Sequence, residues 1–169
     1  MLARSVGDGP TPIRRFVALA VGSCAALRPI EQDPAVETRV MGLCLDCADA
    51  EQMADFYSTV FGWEVTARDD AETRMGGSGW IAMRTDVGTS VSFQAEEWYE
   101  PPVWPESSGH QTKMMHFEVG TDDLAAAVEL IVQSGGRVAP HQPPDRDQSQ
   151  LRVMLDPAGH PFCVGLFGT

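Results

Sequence analysis

Two residues on one predicted strand have the chemistry of a general acid/base pair. In the run from Lys113 to Gly136, KMMHFEVGTDDLAAAVELIVQSGG, His116 and Glu118 are two positions apart. Side chains alternate across a strand, so these two point to the same side. A carboxylate beside an imidazole keeps the ring charged or fixes its tautomer, which suits proton transfer next to a carbonyl or enol. The alternative is that His116 only hydrogen-bonds and orients a bound ligand, and the residues leave both interpretations open.

The strand that carries this pair leads directly into an amphipathic helix. Asp122 and Asp123 both offer an N-cap, and the Gly135-Gly136 pair predicts the helix end. Between them the apolar residues recur at i, i+3, i+4 and i+7, namely Leu124, Ala127, Val128 and Ile131. Strand, tight turn and helix therefore form one supersecondary unit.

The same unit occurs earlier in the chain at an offset of 74 residues. Gly42 aligns with His116, and Asp49 aligns with Asp123 as the predicted helix cap. The apolar stripe of the earlier helix consists of Met53, Phe56, Tyr57 and Val60. The pattern predicts an internal duplication.

The ends of the two halves also match. Aligning the run from Gly88 with the run from Gly159 places Ser92 opposite Cys163. The sequence therefore predicts two modules, residues 40–95 and 112–167, each with one helix and about four strands. Residues 96–111 contain three prolines and form a linker, because prolines exclude a central strand.

Length and charge restrict the class of protein. A chain of 169 residues with 43% hydrophobic residues buries one core and predicts one domain, residues 39–169. The formal net charge of −12 argues against nucleic acid as a partner. The four cysteines are too few for a disulfide framework, and Cys44 and Cys47 are interpreted as packed thiols rather than a redox or zinc motif.

Residues 1–38 lie outside the duplication. A short apolar run ending in Val21-Gly22-Ser23-Cys24 resembles an imperfect lipoprotein signal, which would make the protein an exported lipoprotein anchored through Cys24. The alternative is a disordered extension, or a start codon upstream of the one for Met41, with a cytoplasmic protein. The domain itself is not expected to contact a membrane.

Four segments together resemble the vicinal oxygen chelate superfamily, in particular its glyoxalase-like and bleomycin-resistance-like branch. They are, in chain order, LDCADAEQMADFYSTVFGWEV, PPVWP, MHFEVGTDDLAAAV and DPAGHPFCV. The resemblance implies an α+β fold of two βαβββ modules, whose strands form a cup-shaped mixed sheet with helices on the convex face. It also implies a small-molecule ligand in the cup and a homodimer. The fold alone selects no reaction.

The resemblance implies metal ligands at four positions, which here are Gly42, Ser92, His116 and Cys163. Only His116 is an ordinary ligand, Gly42 has no side chain, and Cys163 replaces a hard carboxylate with a soft donor. We therefore expect no metal and no other cofactor.

Polar and aromatic residues remain on the concave wall that the resemblance implies. His116 and Glu118 are the predicted catalytic residues. The predicted substrate-binding residues are Asp46, Ser92, Gln94, Trp104 and Cys163. Trp104 either covers a flat substrate or anchors the linker to the core.

Three functions fit this reading. The first is a metal-independent lyase or isomerase acting on a small organic metabolite. The second is a non-catalytic protein that sequesters an antibiotic or related metabolite. The third is a metalloenzyme that uses His116, Cys163 and a further ligand such as Glu118.

Overall fold

A computed structural model describes residues 39–69 and 79–166. The predicted extension of residues 1–38, including Cys24, lies outside the described residues. The described residues from Met41 onward form one compact unit. No helix in the described part of the chain has the length and hydropathy needed to cross a membrane.

The first module is a four-stranded mixed sheet with one helix. Its strands are ordered β1-β4-β3-β2, with β1 parallel to β4 and the other neighbours antiparallel. The elements are β1 Gly42–Cys47, α1 Ala50–Phe61, β2 Glu64–Asp69, β3 Trp80–Arg84 and β4 Ser90–Ala95.

The second module repeats this plan. Its strands are ordered β5-β8-β7-β6, with β5 parallel to β8. The elements are β5 Glu118–Gly120, α2 Leu124–Gln133, β6 Arg137–Val138, β7 Leu151–Leu155 and β8 Pro161–Gly165. The predicted α+β fold of two βαβββ modules is confirmed, and the described strands form two four-stranded sheets.

Both helices begin at the residues that the capping pattern indicates. Asp49 accepts a hydrogen bond from the Gln52 N–H at 3.0 Å, and Asp123 accepts one from the Ala126 N–H at 3.0 Å. Each carboxylate satisfies a backbone donor that has no partner within the helix. The first helix ends at Gly62, whose φ of 69° lies in the left-handed region that favours glycine.

The first strand of the second module is shorter than predicted. It begins at Glu118, so His116 precedes the strand and alternation does not fix its direction. The Cys163 N–H donates to the Phe117 carbonyl at 2.9 Å. Two residues earlier, Pro161 has no N–H with which to continue the parallel ladder, so the pairing stops there.

Aromatic residues from both modules share one core. The Tyr57 ring of α1 stacks on Phe93 of β4, with ring centroids 4.9 Å apart, and lies edge-on to Phe117 at 5.8 Å. Phe56 meets Phe162 of β8 with centroids 6.4 Å apart. Burial of these rings supplies much of the apolar free energy of folding, so the two modules stabilise each other.

The two adjacent acids before α2 provide a matched test of this capping. Replacing Asp123 by Ala removes the acceptor for the Ala126 N–H and should lower the free energy of unfolding by about 1 kcal/mol. Replacing Asp122, which is exposed, should change it by less than about 0.5 kcal/mol. Urea denaturation of both variants measures the difference, and equal losses would show that Asp123 is not the cap.

Candidate functional site

A buried carboxylate lies where the two modules meet. Asp156, in the turn between β7 and β8, has no exposed surface. It accepts hydrogen bonds from the Tyr57 hydroxyl at 3.2 Å, the His160 backbone N–H at 2.8 Å and His160 Nδ1 at 2.8 Å. Three donors replace the water that the carboxylate loses on folding. The Tyr57 bond joins residues 99 positions apart in the chain.

The turn itself brings Asp156 and His160 together. The Gly159 N–H donates to the Asp156 carbonyl at 3.0 Å, and the Asp156 N–H donates to the His160 carbonyl at 3.1 Å. Gly159 has a φ of 97°, which only glycine adopts without strain. The tight turn therefore fixes the imidazole against the carboxylate.

The imidazole continues this network to a second tyrosine. His160 Nε2 lies 3.2 Å from the Tyr99 hydroxyl, which also donates to the Ala158 carbonyl at 3.0 Å. The Asp156 carboxylate can only accept, so it places a proton on Nδ1 of His160. Nε2 is then the nitrogen that exchanges a proton with Tyr99 or with a ligand.

Burial affects both phenols of this network. Burial raises the pKa of Tyr57 well above its ordinary value, and the Asp156 charge raises it further. Burial likewise raises the pKa of Tyr99, again with Asp156 adding to the effect. Both hydroxyls therefore keep their protons at neutral pH and act as donors.

This network borders a cavity of about 270 Å³, which we call the Tyr57 cavity. Its walls are largely apolar, with Leu43 and Leu45 of β1 on one side. Lys113, Asp46 and Glu100 add charged groups. The remaining wall residues that matter here are Tyr57, Tyr99, His116, Phe117, His160 and Phe162.

The structure brings two of the predicted site residues to this cavity. His116, which is exposed, and Asp46 of β1 both line it. Glu118 instead lies beside Cys163 in the β5–β8 pairing and borders a different cavity. Phe117 and Leu43 line both cavities.

Two more predicted site residues lie on the first sheet. The Ser92 hydroxyl is buried and donates to the Leu43 carbonyl at 3.3 Å. The Gln94 side chain donates to Glu96, and Gln94 is the register partner of Asp46. Neither Ser92 nor Gln94 lines the Tyr57 cavity.

The last two predicted site residues lie together on the second sheet. Trp104 packs with Cys163 against a small apolar cluster of Ala139, Val153 and Leu155. The Trp104 indole N–H donates to the His141 carbonyl at 2.9 Å. These contacts anchor the linker to the sheet, which is the second of the two roles considered for Trp104.

The positions that correspond to metal ligands do not fit a divalent ion. A Cβ added at Gly42 would lie 2.4 Å from the Ser90 carbonyl oxygen, so the backbone excludes any side chain there. Ser92 offers only a neutral hydroxyl in place of a carboxylate, and this hydroxyl donates to the Leu43 carbonyl. Burial raises the pKa of the Cys163 thiol, with Glu118 adding to it, whereas a metal needs the thiolate.

Other donor side chains in the described part of the chain do not form a metal site either. Within residues 39–69 and 79–166, no group of three or more His, Cys, Asp and Glu side chains is placed to hold a metal ion. We therefore derive no chemistry through a metal at this site.

Sequence reasoning missed Tyr57, Asp156, His160 and Tyr99 as a functional group. In the sequence, Tyr57 is one position of the apolar stripe predicted for the first helix. One local signal was available, because Asp156 and His160 are four residues apart across a Pro-Ala-Gly turn. The contact with Tyr57 has no local signal.

A family model for the glyoxalase-like domain matches residues 42–165. Comparison with curated protein sequences gives no significant match. Solved structures resemble the chain in fold. The fosfomycin resistance protein FosX of Listeria monocytogenes is 13% identical with a TM-score of 0.57, over 79% of this chain and 95% of the other.

Two further structures support the same fold. A glyoxalase family protein of Enterococcus faecalis is 14% identical with a TM-score of 0.54, over 75% of this chain and 96% of the other. A glyoxalase I variant of Zea mays is 15% identical with a TM-score of 0.53, over 78% of this chain and 45% of the other. At these identities the likeness concerns the fold alone.

Tyr57→Phe tests the bond between the modules. It removes one donor from the buried Asp156 carboxylate and should lower the free energy of unfolding by about 1–3 kcal/mol at neutral pH. The raised pKa of Tyr57 means that the folded state favours the neutral phenol. The phenol therefore contributes to the free energy of unfolding below about pH 10, and this contribution is lost as the pH rises above that value. The variant should therefore lose less stability than the wild type between about pH 9 and pH 11. Denaturation at several pH values checks both effects, and an unchanged stability and alkaline slope would contradict the bond.

The raised pKa of the Cys163 thiol predicts slow alkylation. At neutral pH little thiolate is present, so iodoacetamide should label exposed Cys44 well before Cys163. The rate at Cys163 should rise steeply only above about pH 9. Mass spectrometry of peptides from a time course measures both rates, and fast labelling of Cys163 at neutral pH would contradict the assignment.

Proposed function

Because the chain belongs to the glyoxalase-like domain family, within the vicinal oxygen chelate superfamily, we propose that it binds a small organic metabolite in the Tyr57 cavity and transfers a proton there without a metal ion. The observation that supports this proposal is the hydrogen-bonded series Asp156–His160–Tyr99 at the cavity wall. The reaction class is that of a lyase or isomerase acting next to a carbonyl.

His160 is the proposed general acid/base of this site. Asp156 holds the proton on Nδ1 and so directs the free electron pair of Nε2 away from the carboxylate. The side chain of His160 is 20% exposed, so the ring reaches the cavity while its partner stays fully buried. Asp156 acts through the histidine and is a positioning residue.

Tyr99 gives the imidazole a second partner. Its hydroxyl is shared between Nε2 of His160 and the Ala158 carbonyl. Since burial raises the pKa of this phenol, Tyr99 remains a proton donor at neutral pH. A ligand carbonyl oxygen that replaces the Ala158 carbonyl as acceptor would receive the hydrogen bond from the Tyr99 hydroxyl. This hydrogen bond would polarise the ligand's carbonyl group.

His116 is retained as a second catalytic candidate because it lines the same cavity. The expectation that Glu118 assists it stays a prediction, since Glu118 borders the other cavity. Of the carboxylates near the Tyr57 cavity, Asp156 is the one with a direct bond to a histidine ring.

Asp46 is the proposed polar contact for the ligand within the Tyr57 cavity. The other predicted binding residues lie on the two sheets, Ser92 and Gln94 on the first and Trp104 and Cys163 on the second. They contact a common ligand only if the two sheet faces meet across an interface, as in a homodimer of this chain. We keep that arrangement as part of the proposal.

A second function is favoured by the walls of the same cavity. Leu43, Leu45, Phe117 and Phe162 give it apolar sides, which hold a ligand without reacting with it. On this alternative the protein sequesters a metabolite or antibiotic, and the Asp156–His160–Tyr99 series orients the ligand.

Solvent-deuterium exchange separates these functions. Protein treated with EDTA and desalted should catalyse exchange at the α-carbon of enolisable ketones, starting with hydroxyacetone, as measured by proton NMR. His160→Gln retains a donor for Asp156 but cannot accept a proton, and should slow exchange by about 10²- to 10⁴-fold. His110→Gln is the matched control, because His110 lies in an exposed loop and its ring bonds to Ser107 and Ser108 of the same loop.

Each other outcome has a definite meaning. Exchange that requires added Mn²⁺, or that persists in His160→Gln, contradicts the metal-independent proposal. A rise in Tm with a ketone that is never exchanged or consumed supports sequestration instead.

A further inference from the structure

A second cavity lies on the other side of Phe117. It has a volume of about 410 Å³ and we call it the Trp63 cavity. The end of α1, the turn between β3 and β4, and strand β5 surround it. Its apolar walls are formed by Phe61, Trp63, Val87, Val91, Phe117 and Val119.

Two buried polar atoms of residues that line this cavity have no partner in the described part of the chain. Trp63 is 8% exposed and Thr85 is 7% exposed. Within residues 39–69 and 79–166, neither Nε1 of Trp63 nor Oγ1 of Thr85 makes a hydrogen bond. Extending the β2–β3 register, in which Glu64 faces Arg84, by one step places Trp63 opposite Thr85. The two groups therefore lie at neighbouring positions of one wall.

Unpaired buried donors indicate what would fill the space. Buried polar groups in native proteins are almost always hydrogen-bonded, and leaving them unpaired costs free energy. The indole N–H can only donate, and the threonine hydroxyl can donate to the same atom. An oxygen acceptor in the cavity would satisfy both.

The charges around the cavity narrow the class of acceptor. Asp86 and Glu118 both line it, and no basic side chain does so among the described residues. Two carboxylates without a lining cation disfavour an anionic ligand. The apolar walls favour a molecule that is mostly hydrocarbon.

From these observations we propose that the Trp63 cavity is a second binding site, for a neutral and largely apolar molecule whose carbonyl oxygen accepts from Trp63 Nε1 and Thr85 Oγ1. The site is separate from the Tyr57 cavity and does not depend on the reaction proposed there. Both donor atoms are buried, so a ligand reaches them only when the side chains that cover them move. Val87 at the centre of this turn is 80% exposed.

Titration with acetophenone tests the site by NMR. The chain has four tryptophans, so Trp63→Phe identifies the indole N–H signal of Trp63. Acetophenone should shift that signal saturably. Isopropylbenzene, which has a similar shape but no acceptor, should not shift the signal. Benzoate should bind at least several-fold more weakly than acetophenone, because the Asp86 and Glu118 carboxylates repel its negative charge.

Thr85→Val tests the second donor while keeping the shape of the side chain. It should weaken acetophenone binding by about 5- to 10-fold, the value of one hydrogen bond. It should leave Tm unchanged or raised, because the Thr85 hydroxyl has no hydrogen-bond partner among the residues that the structure describes. Thr66→Val is the matched control, since the Thr66 hydroxyl donates to the Ala82 carbonyl at 3.2 Å, and it should lower Tm by about 2–4 °C.

Three results would overturn the proposal. The first is that the Trp63 signal stays in place up to the solubility limit of acetophenone, which would mean that the two donors bind only water. The second is that acetophenone and isopropylbenzene shift the Trp63 signal equally. The third is that Thr85→Val binds acetophenone as tightly as the wild type does. Either result would mean that the two donors do not recognise an acceptor. Deuterium exchange in the Tyr57 cavity should be the same in Thr85→Val and wild type, so the two sites are tested separately.

Discussion

A carboxylate that is removed from water is stable only if donors replace the water it has lost, and Asp156 obtains these donors from both modules. Tyr57 reaches it from α1 of the first module, while His160 reaches it twice from the adjoining turn of the second. Loss of any donor leaves an incompletely paired buried charge. The same requirement therefore joins the modules and fixes the direction of the imidazole ring.

The surrounding core follows from the position of Tyr57. Its ring stacks between Phe93 and Trp63, with centroids 4.9 Å and 5.1 Å away, while its hydroxyl points to the second module. Phe117 closes against this stack and borders both cavities. The Phe117 ring of this aromatic cluster thus borders one cavity lined by His116 and His160 and another lined by Trp63 and Thr85, whose side-chain donors have no partner among the described residues.

Local patterns predicted much of the fold. Periodicity and capping located both helices, with Asp49 and Asp123 as caps, and the offset repeat predicted the two modules. Non-local contacts were not predictable in this way. The start of β5 depends on Pro161 in another strand, which has no N–H to offer. The role of Tyr57 depends on a carboxylate 99 residues away, and in the sequence alone it is one more apolar position of a helix.

The site was predictable only in part for the same reason. His116 and Asp46 line the Tyr57 cavity, whereas Glu118 lines the Trp63 cavity. The Ser92 hydroxyl donates to the Leu43 carbonyl of β1. Alternation along the predicted strand placed His116 and Glu118 on one face, but β5 begins at Glu118 and does not include His116. The tight turn that begins at Asp156 brings this carboxylate and His160 together, and such a turn can be predicted from sequence. The contact between the turn and Tyr57 of the other module cannot be predicted in this way.

The Tyr57 hydroxyl bonds to the Asp156 carboxylate across the two modules, and a double-mutant cycle measures the strength of this contact. Urea denaturation of wild type, Tyr57→Phe, Asp156→Ala and the double variant gives the coupling free energy between the two side chains. A direct bond predicts a coupling of about 0.5–3 kcal/mol. Additivity within about 0.3 kcal/mol would contradict the account, because independent residues show no coupling.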